Sequence, residues 1–267
     1  MNHIQKKPFV MTVHDTMQIS RGLHTFIDEP RDTLALGYLA DHAELVASVS
    51  EYTKNDLCKK YLVDRSKIQT VYLANFLKSE AEEIQDLPKK YILNVGTRNG
   101  RKNFLEWIKA VSPLLIKRPD LYVIVTGALT EYEQYFFRKL GVSKNILSKE
   151  EITDPQLVTL YKKAMCLVYP SLYEGFGLPV IEAMANGCPV IAANCTSIPE
   201  VGGSAALYID PMNSESMLNA LGNFIENPAL QNELSEKGRE QSEKFSKEAF
   251  ISGMIDVFEQ AVIGYQK

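Results

Sequence analysis

From about residue 91 onward, short apolar runs alternate with amphipathic stretches of helical length. The apolar runs predict strands at YILNV (91–95), LYVIVTG (121–127), CLVYP (166–170) and PVIAA (189–193), and the stretches between predict helices near 102–117, 130–140, 155–163 and 178–186. Such alternation is typical of βαβ units and a parallel sheet. We therefore predict a complete doubly wound, Rossmann-like α/β domain over 91–267. Its tail, 214–266, predicts two or three helices with breaks at Asn227-Pro228 and Phe245-Ser246.

The front part shows the same alternation over a shorter length. It predicts strands at FVMTVH (9–14), LVASV (45–49) and IQTVY (68–72), a helix near 33–42 and a capped helix beginning around Ser50. Three strands predict a partial Rossmann-like domain over 1–75. Residues 76–90 are acidic and polar and contain Pro88, which favours an interdomain linker.

Composition narrows the function classes. The chain has 45% hydrophobic and 23% charged residues, as globular proteins do, and its net charge of -4 offers no broad cationic surface for nucleic acid. The cysteines show no spacing that would close a zinc site, so we expect no metal. No run approaches the roughly 20 apolar residues that span a bilayer, and the first residues lack a signal core. We expect a cytoplasmic protein, with peripheral association at the inner membrane surface left open.

The segment YPSLYEGFGLPVIEAMANGCPVIA places a Gly-bearing loop between a strand and a helix. In a parallel sheet this is the carboxyl end of a strand, where ligands bind. Gly175 and Gly177 allow close backbone approach, and the N–H groups of the helix that begins near Leu178 suit a phosphate.

Two carboxylates flank this helix start. Glu174 precedes the helix, and Glu182 lies about one turn inside it. A carboxylate accepts hydrogen bonds from neighbouring hydroxyls, such as those of a sugar or a ribose. The alternative is that Glu174 stabilises the helix end electrostatically and Glu182 is a solvated helix charge.

A second motif, NVGTRNGRKNF, runs from a strand through Gly96 to Arg101 and Lys102. Two cations beside a turn would neutralise a diphosphate as it leaves. The alternative is a solvated basic turn.

Two weaker signals accompany these motifs. His14 ends an apolar strand in MTVHDT, at the ligand side of a parallel sheet, although a lone histidine is more often satisfied locally. Ile152 lies in the loop of SKEEITDPQLVTLYKKA, which a surface loop with an N-capped helix explains equally well.

These motifs occur in order from about Phe9 to the end and resemble glycosyltransferase family 4, also called group 1. The diagnostic feature is two glutamates with seven residues between them, here Glu174 and Glu182. The resemblance implies a GT-B-like fold and a retaining, metal-independent, mannosyltransferase-like enzyme of polysaccharide or glycolipid synthesis. It would move a hexose from a nucleoside-diphosphate sugar to a saccharide or lipid-linked acceptor. The resemblance also implies that 1–75 is part of the acceptor-side domain and that 91–267 is the donor-binding domain, whose last helix returns toward the front domain. The nucleotide sugar is then a substrate, and no cofactor is expected.

The resemblance also implies roles for residues. His14 and Glu174 would be catalytic, facing the transferred sugar. The nucleotide sugar would be bound by Gly96, Thr97, Arg101, Lys102, Ile152, Gly175, Phe176, Gly177, Leu178 and Glu182. Within this set Glu182 would hold the ribose diol, a backbone group near Ile152 would touch the base, and the N–H groups of 175–177 would meet sugar or diphosphate.

This chain departs from the family pattern in three places. Thr97 stands where many relatives have an arginine after the glycine, and the loop at Ile152 lacks its usual glycine. Family members also generally carry a longer stretch before the strand that ends at His14. We therefore expect a protein partner or self-association to complete the front domain, and little transfer by this chain alone.

Two other functions stay open at this point. One is a non-catalytic donor-binding fragment or subunit that needs a partner. The other is a nucleotide-sugar epimerase of the same architecture, which would convert donor without an acceptor.

Overall fold

The computed structural model describes residues 8–17, 30–77, 79–98 and 100–266. Within them lie nine strands: β1 (Val10–Val13), β2 (Leu45–Ser48), β3 (Ile68–Thr70), β4 (Tyr91–Asn94), β5 (Tyr122–Thr126), β6 (Ile146–Lys149), β7 (Cys166–Tyr169), β8 (Val190–Ala193) and β9 (Ala206–Ile209). The same residues form ten α-helices: α1 (Pro30–His42), α2 (Glu51–Lys60), α3 (Phe104–Lys117), α4 (Glu131–Leu140), α5 (Asp154–Lys163), α6 (Leu178–Ala185), α7 (Ile198–Gly202), α8 (Ser214–Glu226), α9 (Pro228–Glu243) and α10 (Lys247–Tyr265).

The described residues divide into two compact units. The first unit contains the residues up to Ala74, the tripeptide Glu174–Phe176 and the residues from Phe245 onward. The second unit contains Asn75–Tyr173 and Gly177–Lys244. The segment predicted as a linker falls in the second unit, where the Glu82 N–H donates to the Pro155 carbonyl.

The first unit is built on a parallel sheet of order β1-β2-β3. Successive residues of a strand face opposite sides of the sheet, so Val46 and Ala47 of β2 belong to different apolar clusters. Val46 packs with Leu57 of α2, and Ala47 packs with Val257 of α10. Helices therefore cover both faces, and the three predicted front strands are confirmed.

The tripeptide Glu174–Phe176 is held against the end of β1 in this unit. A Cβ on Gly175 would overlap the His14 carbonyl oxygen and lie 2.8 Å from the Asp15 Cβ. The Ser50 hydroxyl, which also caps α2 by accepting from the Thr53 N–H, donates to the Gly175 carbonyl at 2.7 Å. Only glycine fits at position 175.

Aromatic packing holds the same tripeptide on its other side. The buried ring of Phe176 lies 6.1 Å from the ring of Tyr72 and 5.6 Å from that of Phe245, centroid to centroid. Tyr72 and Phe245 are themselves in edge contact at 5.7 Å. The three rings form a cluster that fixes the backbone of the tripeptide.

The second unit is built on a six-stranded parallel sheet of order β6-β5-β4-β7-β8-β9. Numbered within the unit, this order is 3-2-1-4-5-6, the doubly wound arrangement. Chain progression reverses between β4 and β7, so the loops that leave these two strands diverge and open a crevice at their carboxyl ends. We call this place the switch point.

Two strands of this sheet, β6 and β9, were not predicted from the sequence. Both are edge strands with at least two half-buried residues each. In contrast, every residue of β4, β7 and β8 is buried. β6 reads ILSK and lacks the continuous apolar run that marks a strand covered on both faces. β9 reads ALYI, an apolar run that could have been predicted as a strand.

The tail of the chain forms three helices. α8, α9 and α10 are separated at Asn227 and at Phe245-Ser246, as the sequence predicts. Asn227 caps α9 by accepting from the Leu230 N–H, and Ser246 caps α10 by accepting from the Ala249 N–H. In the part of the chain that the structure describes, no helix is long and apolar enough to cross a membrane.

The contact of Gly175 with β1 leads to a stability prediction. Gly175→Ala should lower the free energy of unfolding by about 1–3 kcal/mol, because the added methyl overlaps backbone that cannot rotate away. Gly100→Ala is the matched control, since a Cβ there meets nothing within 4 Å. Urea unfolding measures both. Equal stability of the two variants would mean that the tripeptide does not sit against His14.

Candidate functional site

The loop that leaves β4 is anchored at the switch point by its first residues. The Asn94 amide donates to the Val168 carbonyl of β7 at 3.0 Å, which extends the pairing of the two strands. The Gly96 N–H donates to the Thr126 hydroxyl at 3.0 Å. Gly96 has a φ of +99° and borders open space, so the backbone there is accessible to a ligand. Thr97, the next residue, is exposed.

Arg101 and Lys102 connect this loop to the one that leaves β7. Arg101 Nη1 donates to the Tyr173 carbonyl at 3.0 Å, and the Arg101 carbonyl accepts from the Leu172 N–H at 2.8 Å. Lys102 Nζ donates to the Tyr169 hydroxyl at 2.9 Å. Both cations are half-buried, so the alternative of a solvated basic turn is wrong. The structure places two fixed positive charges at the switch point.

Arg98, next to Thr97, is engaged in an ion pair inside the second unit. Its Nε donates to Glu133 at 2.7 Å and its Nη1 to the Thr126 carbonyl at 2.6 Å, within a buried ion pair. Burial alone would raise the pKa of Glu133, but the hydrogen bonds from Arg98 and from the Thr130 N–H hold that pKa below its usual value. Arg98 therefore fastens the end of β5 to α4.

The loop after β7 ends where α6 begins. Gly177, the N-cap residue, has a φ of +117°, and a Cβ there would lie 2.8 Å from the Ile198 side chain. Among the described residues, no side chain caps the first turn of α6, and Leu178 is exposed at its start. The positive end of the helix dipole and its N–H groups are thus open to an anion.

Glu182 faces the interior of the second unit. The fully buried Tyr161 of α5 donates its hydroxyl to Glu182 Oε2 at 2.9 Å. Burial raises the pKa of Glu182, the hydrogen bond from Tyr161 lowers it, and the charge of Asp154 raises it, with a net rise. Within the described residues Oε1 of Glu182 has no hydrogen-bond partner. The alternative of a solvated helix charge is therefore wrong for Glu182.

His14 and Glu174 are brought together in the first unit. His14 is exposed directly after β1, with its carbonyl against Gly175, and Glu174 is buried at 7% exposure. Glu174 is not the N-cap of α6, because Gly177 holds that position. Their role at a sugar stays a prediction.

Ile152 lies half-buried beyond the carboxyl end of β6, at the same edge of the sheet as the switch point. Thr153 caps α5 and forms a capping box with Gln156, so the predicted capped helix is confirmed. Glu151, just before Ile152, takes a φ of +50°, in the left-handed region that favours glycine. The contact of Ile152 with a base stays a prediction.

The sequence did not indicate that Tyr161, Arg98 and Ser50 form the hydrogen bonds that position residues of the two loops and of α6. Ser50 was recognised only as a helix cap, and Tyr161 lies in a helix whose pattern marks it as an ordinary core residue. Their partners are distant in sequence, and no local pattern indicates them. The position of Tyr161, five residues before β7, does not indicate a contact with Glu182.

Curated relatives align with most of this chain. It is 29% identical over 232 residues to O-antigen chain mannosyltransferase B of Escherichia coli, covering 82% of this chain and 61% of that protein. It is 30% identical over 239 residues to O-antigen chain mannosyltransferase RfbU of Salmonella typhimurium, covering 83% of this chain and 66% of that protein. The chain thus spans less than two thirds of the length of these relatives.

Solved structures share the fold. Sucrose-phosphate synthase from Thermosynechococcus elongatus superposes with a TM-score of 0.82 at 20% identity, over 95% of this chain and 68% of that one. Anabaena HepE in complex with UDP and glucose gives a TM-score of 0.77 at 17% identity, over 95% of this chain and 71% of that one. The expected GT-B-like α/β fold is confirmed.

The family model described as glycosyl transferases group 1 matches residues 77–241, which is more than half of the chain. The matched stretch contains both loops of the switch point and both glutamates of the diagnostic motif. The chain belongs to the glycosyl transferases group 1 family.

Proposed function

We propose that this chain binds a nucleoside-diphosphate sugar at the switch point of its second unit and takes part in retaining hexose transfer to a saccharide or lipid-linked acceptor. The observation that carries the proposal is the convergence of Arg101, Lys102 and the open start of α6 where β4 and β7 diverge. The relatives named mannosyltransferases support a mannose-like hexose. The base and the acceptor are left unassigned.

The diphosphate is the part of the donor that these cations fit. Gly96 leaves open space, Arg101 and Lys102 supply positive charge, and the Leu178 N–H lies at a helix start without a side-chain cap. Together they stabilise negative charge as the diphosphate leaves, which is the role a divalent cation has in other transferases. We propose that no metal and no cofactor are needed. Thr97 follows Gly96 in the loop that leaves β4, and its side chain is exposed there.

The nucleoside is assigned to Glu182 and Ile152. Oε1 of Glu182 accepts from the ribose diol while Oε2 stays bound to Tyr161. The backbone near Ile152 meets the base at the edge of the sheet where β6 ends.

The transferred sugar is assigned to His14 and Glu174, with the N–H groups of Gly175, Phe176 and Gly177 beside it. In this mechanism the bond from the anomeric carbon to the diphosphate oxygen breaks, and the acceptor oxygen bonds to the same face. The departing phosphate oxygen takes the proton of the acceptor hydroxyl. Glu174 orients the sugar and forms no covalent intermediate, so the anomeric configuration is retained.

Removal of the ribose acceptor should weaken nucleotide binding. Glu182→Ala should cost about 1.5–3 kcal/mol of binding free energy, the scale of a hydrogen bond to a charged group. Calorimetry with uridine and guanosine diphosphate in the presence of a chelator measures this. Glu226→Ala is the control, because it removes an exposed carboxylate that pairs with Arg118 at the surface. Unchanged affinity in Glu182→Ala, or binding that requires magnesium, would contradict the assignment.

The stereochemical outcome tests the reaction itself. With α-linked donors such as uridine-diphosphate glucose and guanosine-diphosphate mannose, we expect proton NMR to show the α anomer as the first product, whether the acceptor is a saccharide or water. A first-formed β anomer would contradict retention. Conversion of the donor to an epimer without an acceptor would identify an isomerase instead. The protein partner or self-association and the peripheral membrane association stay predictions.

A further inference from the structure

We infer that Tyr161 is a positioning residue for the nucleotide, which commits one oxygen of the Glu182 carboxylate and leaves the other to the ribose diol. The inference rests on the proposed function, because it concerns the same site. Tyr161 touches no reacting atom. It acts through Glu182 alone.

The first support is the geometry of the contact. The Tyr161 hydroxyl donates to Glu182 Oε2 at 2.9 Å. The Tyr161 ring is fully buried. A ring without free space has one rotamer, so the position of its hydroxyl is set by packing. A half-buried glutamate on α6 would otherwise have several rotamers available. The phenol therefore selects the one in which the carboxylate is presented with Oε1 unengaged.

The second support is electrostatic. Burial raises the pKa of Glu182, the Tyr161 hydrogen bond opposes that rise, and Asp154 at the start of α5 adds to it. The pKa of Tyr161 is itself raised far above its usual value, chiefly by burial and then by the Glu182 charge. The phenol therefore keeps its proton and donates throughout the neutral range. Cys188 and Tyr169 also face the phenol, and both add to the rise in its pKa.

Recognition of the ribose should depend on the protonation state of Glu182. A ribose diol donates to the ionised carboxylate, so ribose recognition is complete at high pH and is lost as pH falls through the pKa of Glu182. Tyr161→Phe removes the hydrogen bond that lowers the pKa of Glu182, so ribose recognition should begin to weaken at higher pH than in the wild type. Asp154→Asn removes a negative charge that raises this pKa, so ribose recognition should begin to weaken at lower pH.

Tyr91 provides a matched control. Its ring is also fully buried, and its hydroxyl donates to the Leu160 carbonyl of α5 at 2.8 Å. Tyr91→Phe therefore deletes an equivalent buried hydroxyl beside the same helix without a direct contact to Glu182. Any effect that comes merely from loosening α5 should appear in both variants.

The experiment measures the ratio of dissociation constants for a 2′,3′-dideoxynucleoside diphosphate and its ribonucleotide, between pH 5 and 8. Uridine and guanosine diphosphates are the probes. The ratio cancels the titration of the diphosphate, which both ligands share. We expect Tyr161→Phe to lower the ratio about fivefold at pH 7, the effect of one hydrogen bond, and Tyr91→Phe to leave it unchanged. Thermal unfolding confirms that both variants fold.

The outcomes separate the two hypotheses. A wild-type ratio and pH profile in Tyr161→Phe would overturn the inference, and so would an equal fall in Tyr91→Phe. If Glu182→Ala keeps the wild-type ratio, the ribose assignment in the proposed function fails as well. If Glu182→Ala abolishes the discrimination while Tyr161→Phe does not change it, only the inference about Tyr161 fails.

Discussion

The parallel pairing of β4 with β7 is the constraint on which the second unit depends. These strands are adjacent in the sheet but far apart in the chain, and their connections leave in opposite directions. The crevice at their carboxyl ends follows from the reversal of strand order between these two neighbours, which their pairing keeps side by side. The Asn94 amide on the Val168 carbonyl and the Arg101 side chain on the Tyr173 carbonyl hold that register beyond the strands themselves. The cations of the site are thus also its structural links.

Because Arg101 and Lys102 also have structural contacts, a ligand at the switch point would bind to cations that are already ordered. A cation on a free surface loop would lose rotamer freedom on binding a phosphate, whereas Arg101 and Lys102 are already ordered by contacts with the β7 loop. Such preorganised charge is the form of electrostatic stabilisation that catalysis uses most effectively. The open start of α6 adds N–H groups that need no reorganisation either.

Much of the fold could be predicted from the sequence. β4, β7 and β8 are buried on both faces and carry continuous apolar runs, so their pattern is unambiguous. The edge strand β6 was not predicted because ILSK ends in polar residues, whereas β9, ALYI, is apolar throughout and was missed. The loops of the site could be located because each follows a recognisable strand. The three strands of the first unit were predicted as well, although β1 and β3 lie at the edges of their sheet and are only partly buried.

The contacts that make the site could not be predicted. Tyr161 reaches Glu182 across 21 residues, Arg98 reaches Glu133 across 35, and Ser50 reaches Gly175 across 125. Each pair satisfies a polar group whose burial would otherwise raise the free energy of the folded state, and burial is a property of the tertiary structure. For this reason the sequence left a solvated helix charge open as the alternative for Glu182, which in the structure is a half-buried, hydrogen-bonded carboxylate.

The most direct test of the central claim is a crystal structure of this chain with a nucleoside diphosphate, grown in the presence of a chelator. The account predicts diphosphate oxygens within hydrogen-bond distance of Arg101, Lys102 and the Leu178 N–H, with the ribose hydroxyls on Glu182. A nucleotide bound away from the carboxyl ends of β4 and β7, or a diphosphate at the switch point that contacts neither cation, would contradict it.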